Sequence, residues 1–305
     1  MNKLRSLQTF IAISEAGSLS AAAVRMQTSL QSVMRALADL ESAVGMRLVQ
    51  RTTRRMAITE EGRVYLERVK RVLADLDDAD AELRSGKSVP QGTLSVSAPV
   101  LFGQMHVVNC VQRFIERNPG ISVKLALTDR VCHLVEEGID VAIRIGELPD
   151  STLVAHPLAT LRHVVVASPK HLQTVGVPKT PMALTTANCL RFVGPHAGAW
   201  QFKLKGEAIA VPVSGNFESN LVSPLLDACA RGMGFARVQS YQAAPYLRSG
   251  RLREVLAKHA PDPHEVSVVH LGRRLQPAKV RSFVQLLQQE LARDLGSVAL
   301  SRARA

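Results

Sequence analysis

The chain has 305 residues, of which 46% are hydrophobic, so it is long enough to form two or three domains with buried cores. Its formal net charge of +12 favours a polyanionic partner, either nucleic acid or an anionic membrane surface. The four cysteines are far apart, which argues against a disulfide framework or a zinc site. The sequence shows no signal peptide and no apolar run long enough to span a bilayer, so we expect a cytoplasmic protein with no membrane contact.

Three short helices are predicted at the N-terminus. Residues 3–16 have apolar side chains at helical spacing, and Gly17 ends that helix. Ser18 can cap the alanine-rich second helix, and Ser29 can cap the third. Three short helices with a polar break before the third are typical of a helix-turn-helix, although an ordinary three-helix cluster has the same pattern. The apolar face of the third helix comprises Leu30, Val33, Leu37, Leu40 and Val44.

The stretch that follows, residues 47–59, is predicted to form a wing beside the third helix. Apolar residues flank a loop that carries Arg51, Arg54 and Arg55. Arginines in such a loop can neutralise DNA phosphates while the preceding helix contacts base edges. A solvated basic loop without DNA contacts is the alternative.

Residues 59–84 are predicted to form one long helix. Apolar or small residues recur at alternating spacings of three and four, at Gly62, Tyr65, Val69, Val72, Leu76, Ala79 and Leu83. Such a seam, with charges at the other positions, favours pairing with a second copy of the helix, and packing on its own chain is the alternative. A segment rich in glycine, serine and proline, residues 85–92, then indicates a linker.

From residue 93 onward short strands alternate with helices, which predicts an α/β fold. Residues 140–146 and 162–169 are continuous apolar runs of the kind found in buried parallel sheets. Two α/β units over about 200 residues form a bilobed domain, and such domains bind ligands in the crevice at the carboxyl ends of their strands. Further strands are predicted at 93–99, 121–128, 211–217, 234–238 and 265–272, and helices at 101–119, 133–138, 221–232 and 279–291.

Residues 10–62 carry a specific set of motif positions: Phe10, Glu15, Gly17, Ser18, Ala21, Ala22, Ala23, Ser29, Val33, Arg35, Leu40, Glu41, Gly45, Leu48, Arg51, Thr52, Thr53, Thr59, Glu60 and Gly62. In this pattern the chain resembles the N-terminal domain of LysR-type transcriptional regulators. The segments SAPVLFG, RFIERNPGISVKLALTDR, LVEEGIDVAIRIGELPDSTLVAHPLA, ASPKHL and GMGFARV resemble the effector domain of the same family. The resemblance covers roughly residues 2–291.

The resemblance implies a multidomain α/β protein with a winged helix-turn-helix, a dimerising linker helix and a bilobed effector domain similar to periplasmic solute-binding proteins. It implies that a small molecule bound between the lobes changes how a homotetramer, a dimer of dimers, engages promoter DNA. RNA polymerase is a further candidate partner, and no cofactor or metal is implied. The implied boundaries are 1–59, 60–86 and 92–293, with lobe I at about 92–162 and 267–293 and lobe II at about 163–266.

The DNA contacts implied by the resemblance lie in the third helix and the wing. Arg35 is a candidate to bind guanine through two hydrogen bonds, or else a phosphate, and Arg51 and Arg54 are candidates to bind phosphate. Arg51 can alternatively buttress the wing. The sequence departs from the family pattern at Leu30, where an amide is usual, and at Met34, where a small hydroxyl is usual, so the DNA sequence it binds is not predicted. The full set is Ser29, Gln31, Ser32, Met34, Arg35, Arg51, Thr52, Thr53 and Arg54.

The effector site implied by the resemblance lies between the lobes. The hydroxyls of Ser97 and Thr128, together with backbone N–H groups at a helix start, favour a carboxylate ligand. Core packing is the alternative for Phe192 and Trp200, and Arg144 can either bind an anion or pair with an acid such as Asp140. The full set is Ser97, Ala98, Pro99, Val100, Leu101, Thr128, Arg144, Gly146, Phe192, Trp200 and Asn220.

The sequence also bears on two other classes of function. An enzyme is disfavoured because the chain lacks GxSxG, Walker and HExxH motifs, and His133 with Glu137 is more typical of surface charge than of a metal site. GMGFAR also lacks the third glycine of a dinucleotide-binding motif. A DNA-binding scaffold that responds to no ligand would have the same sequence features and would differ only by showing no ligand-induced rise in melting temperature.

Overall fold

The computed structural model describes residues 2–51, 56–85, 89–146, 148, 153–194, 198–272 and 276–300. The chain divides into two compact units, Met1–Val89 and Pro90–Ala305. No single helix among the described residues is long and apolar enough to cross a membrane. The helices at 3–16 and 19–25 are long and apolar enough only when they are counted as one segment, and this pair is bent by 116°.

The three predicted N-terminal helices are present as α1 Lys3–Ala16, α2 Leu19–Arg25 and α3 Leu30–Val44. The predicted caps are also present, because the Ser18 hydroxyl accepts a hydrogen bond from the Ala21 N–H at 3.1 Å, and the Ser29 hydroxyl accepts one from the Ser32 N–H at 3.2 Å. Gly17 ends α1 in the left-handed region with a φ of 68°, which an alanine would adopt only with strain.

The apolar face of α3 packs into the core of the first unit, with one correction to the prediction. Val33, Leu37 and Leu40 are buried, together with Phe10 and other residues of α1 and α2. Leu30, which was expected on this face, is 41% exposed. It precedes the buried stripe, which begins one turn later at Val33.

The predicted wing strands are β1 Val49–Arg51 and β2 Met56–Ile58, which pair antiparallel. Glu41 of α3 fixes where the wing starts, because its Oε1 accepts hydrogen bonds from the N–H groups of Leu48 at 2.8 Å and Val49 at 3.0 Å. The wing is therefore anchored to the C-terminal part of α3.

The long helix is α4, Glu60–Ser85, and its predicted seam has two different surroundings. Gly62 and Val69 are buried in the core of the first unit, as is Leu66, which lies outside the seam. Farther along the seam, Val72 is 59% exposed and Leu76 is 43% exposed. The first half of the seam thus packs on its own chain, whereas Val72 and Leu76 are available for another copy, and the side chains of Ala79 and Leu83 lie outside the described residues.

In its described residues, the second unit contains two five-stranded sheets and a two-stranded hairpin, which confirms the predicted α/β class. Its strands are β3 Gly92–Ala98, β4 Ile121–Leu127, β5 Val141–Ile145, β6 Leu153–Leu161, β7 His163–Ala167, β8 Cys189–Phe192, β9 Trp200–Leu204, β10 Glu207–Val211, β11 Glu218–Ser219, β12 Phe235–Gln239, β13 Arg253–Val255 and β14 His264–Leu271. Its helices are α5 Val100–Phe102, α6 Val108–Arg117, α7 Leu134–Glu137, α8 Pro169–Val175, α9 Val222–Ala230, α10 Ser240–Arg248 and α11 Ala278–Leu300.

The first sheet has the order β4-β3-β5-β14-β6, with β3 parallel to both β4 and β5. β14 pairs antiparallel with β5 and β6 from His264 onward. The chain therefore rejoins the first sheet at residue 264. A single π-helical turn, Gly103–Val107, joins α5 to α6 within what was predicted to be one regular helix.

The second sheet has the order β11-β8-β12-β7-β13. β7 pairs antiparallel with β12 and with β13, so the prediction of a parallel strand over 162–169 is wrong. Its apolar run has a different origin, since Val164 and Val166 pack in one core while Val165 and Ala167 pack in another. A strand buried on both faces is apolar throughout, whatever the direction of its neighbours.

Candidate DNA-binding and effector-binding sites

The face of α3 opposite the core carries the predicted DNA-contacting side chains. Gln31, Ser32, Met34 and Arg35 are all exposed. Among the described residues, Arg35 has neither a hydrogen bond nor an ion pair. Its guanidinium is therefore available to a DNA base or phosphate, both of which it can bind through two hydrogen bonds.

Ser29 has a structural role that limits what it offers to DNA. Its hydroxyl oxygen accepts the Ser32 N–H and also lies 2.9 Å from the Ser32 hydroxyl. The two hydroxyls are thus paired with each other at the start of α3. Of the wing candidates, Thr52, Thr53 and Arg54 lie outside the described residues, and the backbone of Arg51 pairs with Met56 at the end of β1.

Several predicted effector-binding residues lie at one edge of the first sheet. The Pro99–Leu101 segment follows β3, Thr128 follows β4, and Gly146 follows β5. Because these three strands are parallel neighbours, their carboxyl ends meet at that edge. The Thr128 N–H donates to the Ala98 carbonyl at 2.9 Å, which holds the first two segments together.

The start of α5, which was expected to offer free N–H groups to a ligand carboxylate, already holds a carboxylate of the protein. Oδ1 of Asp129 accepts a hydrogen bond from the Val100 N–H at 3.0 Å. An acid in the first turn also interacts favourably with the helix dipole. A carboxylate ligand would therefore have to displace Asp129 or bind elsewhere on this edge.

Three predictions for this lobe need correction. Ser97 and Ala98 are fully buried, and the Ser97 hydroxyl lies 3.6 Å from the Cys132 thiol, so it does not face a ligand. Arg144 donates to the backbone carbonyls of Ile143 and Cys132, not to Asp140. Ser97 and Ala98 point to opposite faces of β3 and are both buried because this end of the strand is covered on both faces, whereas Arg144 is only partly buried.

In the second lobe, Phe192 and Asn220 lie at a matching edge. Phe192 ends β8 and Asn220 follows β11, its parallel neighbour. Asn220 is exposed, and Phe192 is partly buried against the core. Trp200 begins the β9–β10 hairpin and is only 5% exposed inside a second core, so it packs in the fold and does not line this edge.

An aromatic cluster brings the two edges toward each other. Tyr241 stands at the start of α10, directly after the carboxyl end of β12, and its ring lies 5.4 Å from the Phe102 ring and 5.7 Å from the His106 ring. Burial raises the pKa of the Tyr241 hydroxyl above its usual range. Sequence reasoning placed neither Asp129 nor Tyr241 at the effector site, although each lies two residues after the carboxyl end of a sheet strand, which was the signal available.

The His133 and Glu137 pair forms no metal site. Glu137 accepts hydrogen bonds from Arg130, and these lower the pKa of its carboxyl to about 2. Among the described residues, no group of three or more His, Cys, Asp or Glu side chains is arranged to hold a metal ion.

Two family models match the chain and together cover most of it. The model for bacterial regulatory helix-turn-helix proteins of the lysR family matches residues 4–63, and the LysR substrate binding domain model matches residues 87–292. The chain belongs to the LysR-type transcriptional regulators: it is a DNA-binding transcription regulator with a domain for a small-molecule effector, and not an enzyme.

Similar proteins extend over nearly the whole chain. The transcriptional regulator DmlR of Escherichia coli is 31% identical over 302 residues, covering 98% of each chain. CrgA of Neisseria meningitidis is 30% identical over 290 residues, and its solved structure matches with a TM-score of 0.61, covering 94% of this chain and 98% of that one. The full-length virulence activator AphB of Vibrio cholerae, 24% identical, has the same fold with a TM-score of 0.60 over 93% and 98% of the two chains.

The four cysteines are expected to be unreactive in the folded protein. All four are buried, and burial raises the pKa of the Cys189 and Cys229 thiols from 9.0 to about 12. At pH 8 that change lowers the reactive thiolate fraction by about 1,000-fold. Titration with an aromatic disulfide reagent should show slow labelling in buffer and four rapid equivalents in denaturant. A thiol that reacts within seconds in buffer would contradict the expectation.

Proposed function

We propose that α3 binds the major groove of promoter DNA through the exposed side chains of Gln31, Ser32, Met34 and Arg35. The observation that carries this proposal is the division of α3 into a buried apolar stripe and an exposed face with an unpaired arginine. A helix that offers a guanidinium and an amide can distinguish base pairs in that groove. The wing, with Arg51, Thr52, Thr53 and Arg54, binds the neighbouring phosphates.

Leu30 and Met34 give this face an unusual apolar component. They stand four residues apart on α3 and are 41% and 38% exposed. Apolar side chains in the major groove contact the methyl group of thymine. We therefore expect the operator to contain thymine where these two side chains approach the bases.

Substituting Arg35 tests the proposed DNA contact. Operator fragments are first recovered by incubating the protein with sheared genomic DNA of its source organism at fixed salt. Arg35→Ala should weaken binding to a recovered operator by about 1–3 kcal/mol, or roughly 5- to 150-fold, measured by fluorescence anisotropy.

The matched control is Arg63→Ala, which removes the same charge from α4, where Arg63 pairs with Glu60 at 2.5 Å. That variant should bind the operator like the wild-type protein. Equal affinities for Arg35→Ala and the wild type would remove Arg35 from the interface.

We further propose that the effector binds between the sheet edges of the two lobes. The candidate residues on these edges are Thr128, Gly146, Phe192 and Asn220. The Tyr241 cluster supports it, because the cluster connects α5 and the π turn of one lobe with α10 of the other. A ligand at about 100 times its dissociation constant should stabilise the protein by about 2.7 kcal/mol. A metabolite screen by thermal melting tests this, and a complete lack of response would favour the scaffold without a ligand.

The assembly that performs this function is a homotetramer, a dimer of dimers, in the cytoplasm, where it meets promoter DNA and RNA polymerase. The exposed seam residues Val72 and Leu76 support the pairing of two copies. Two copies also place two copies of α3 against successive half-sites, so the operator should be close to two-fold symmetric.

A further inference from the structure

A small cavity lies inside the second lobe, beneath the β9–β10 hairpin. Its volume is about 10 Å³, which is room for one water molecule or one ion of similar size. The walls come from β7, β9, β12, β13 and the segment that follows β13. Among the lining residues are His163, Val165, Phe202, Arg237, Glu254 and Pro261.

Arg237 contributes a positive charge to this cavity. It lies on β12, the central strand of the second sheet, and is mostly buried. Among the described residues, no hydrogen bond, ion pair or aromatic ring engages its guanidinium. Burial lowers the pKa of Arg237 to about 10, but the group remains protonated at neutral pH.

The acids nearest the cavity already have cationic partners. Glu254, the one carboxylate among the lining residues, accepts hydrogen bonds from Arg162 on both of its oxygens. Asp262, next to the lining residue Pro261, accepts a hydrogen bond from Lys203 at 2.6 Å. The charge of Arg237 is therefore not balanced by these side chains, and a buried charge without a counterion is costly.

The imidazole in the wall is also engaged. The His163 ring has one nitrogen 3.1 Å from the Gln239 amide and the other 2.8 Å from the His264 ring. Val165 and Phe202 are apolar, so this part of the wall offers no competing hydrogen bond to a ligand. Among the described lining residues, the buried part of the wall has free donors on Arg237, and the exposed Gln201 adds an amide N–H at its outer side.

We propose that the cavity binds one small inorganic anion, of the size of chloride, as the counterion of Arg237. The space beside Arg237 has room for one group of about the size of a water molecule, and apolar residues such as Val165 and Phe202 form part of the wall. The site is distinct from the effector edges, because Arg237 lies within β12 on the side of the hairpin. Occupancy would make the stability of the second lobe depend on the anion present.

Thermal melting of the full chain tests the proposal. Ionic strength is kept constant while sodium gluconate, whose anion is too large for the cavity, is replaced stepwise by sodium chloride. The melting temperature of the wild type should rise along a saturable curve, by about 3–6 °C at ten times the dissociation constant. Arg237→Met should show no such rise, while Arg248→Gln, which removes an exposed positive charge from the same lobe, should behave like the wild type.

Fluorescence gives a second readout on the folded protein. Trp200 is the only tryptophan, is 5% exposed, and directly precedes the wall strand residues Gln201 and Phe202. Bromide, a heavy halide, should quench it saturably in the wild type and in Arg248→Gln, but only weakly and linearly in Arg237→Met.

Arg237→Lys is the control for a folding defect in Arg237→Met. The lysine keeps the charge but has fewer donors on a shorter side chain, so its halide affinity should fall without disappearing. The proposal is overturned if the wild type shows no saturable response to chloride, or if Arg237→Met responds as strongly as the wild type.

Discussion

Replacing Gly62 by alanine is expected to destabilise the N-terminal unit by about 2–3 kcal/mol, because the new methyl group has no space. A Cβ at this position would lie 2.2 Å from the Leu48 carbonyl oxygen and 2.9 Å from a methyl carbon of Ile58. The carbonyl cannot easily move, since it accepts the Thr59 N–H at 3.0 Å while the Leu48 N–H is held by Glu41. The helix α4 must shift instead, and the wing strands with it.

Chemical denaturation of the full chain measures this loss, and operator binding should weaken in parallel because the wing is displaced. Glu61→Ala is the matched control, since Glu61 is the exposed neighbour on the same turn of α4. If Gly62→Ala unfolded at the same midpoint denaturant concentration as the wild type, α4 would be able to shift without loss of stability.

The local features of the N-terminal unit could be predicted from the sequence because each depends on nearby residues. Ser18 and Ser29 cap helices through hydroxyls that reach only three residues ahead. Gly17 and Gly45 end helices because they adopt the left-handed region at little cost. Such features need no knowledge of tertiary packing.

The predictions that failed depend on contacts distant in sequence. The α4 seam is continuous in its periodicity, yet Val69 is buried on its own chain while Val72 is not, and only the packed fold determines where that change falls. Likewise, the apolar run of β7 indicates that both faces of the strand are buried, but it does not indicate whether its neighbours are parallel. That depends on the direction in which β12 and β13 run beside β7.

The candidate effector site depends on distant contacts too. The resemblance named Thr128 and Gly146, and both lie at the carboxyl ends of strands that pair parallel with β3. The hydrogen bond from the Val100 N–H to Asp129 joins residues 29 apart, and it changes which ligand chemistry suits that edge. The contact of Tyr241 with Phe102 spans the two lobes, and residue spacing carries no information about it.

Replacing Leu76 by glutamate is expected to separate the two proposed copies of α4. Leu76 is 43% exposed in the single chain and lies on the half of the seam that does not pack on its own core. Residues 75–82 already contain five acidic side chains, so a carboxylate on the seam adds repulsion between copies to the loss of apolar contact. A cost of about 2 kcal/mol would raise the dimer dissociation constant roughly 30-fold.

Sedimentation velocity across a range of concentrations measures that change, and Val64→Glu is its matched control. Val64 is 53% exposed on the same helix but lies off the seam, so the charge it gains should leave the assembly intact. Operator affinity should fall with dissociation, because a single copy of α3 contacts one half-site and loses the gain from binding two at once. If Leu76→Glu kept both the mass and the operator affinity of the wild type, the exposed half of α4 would not be where the copies meet.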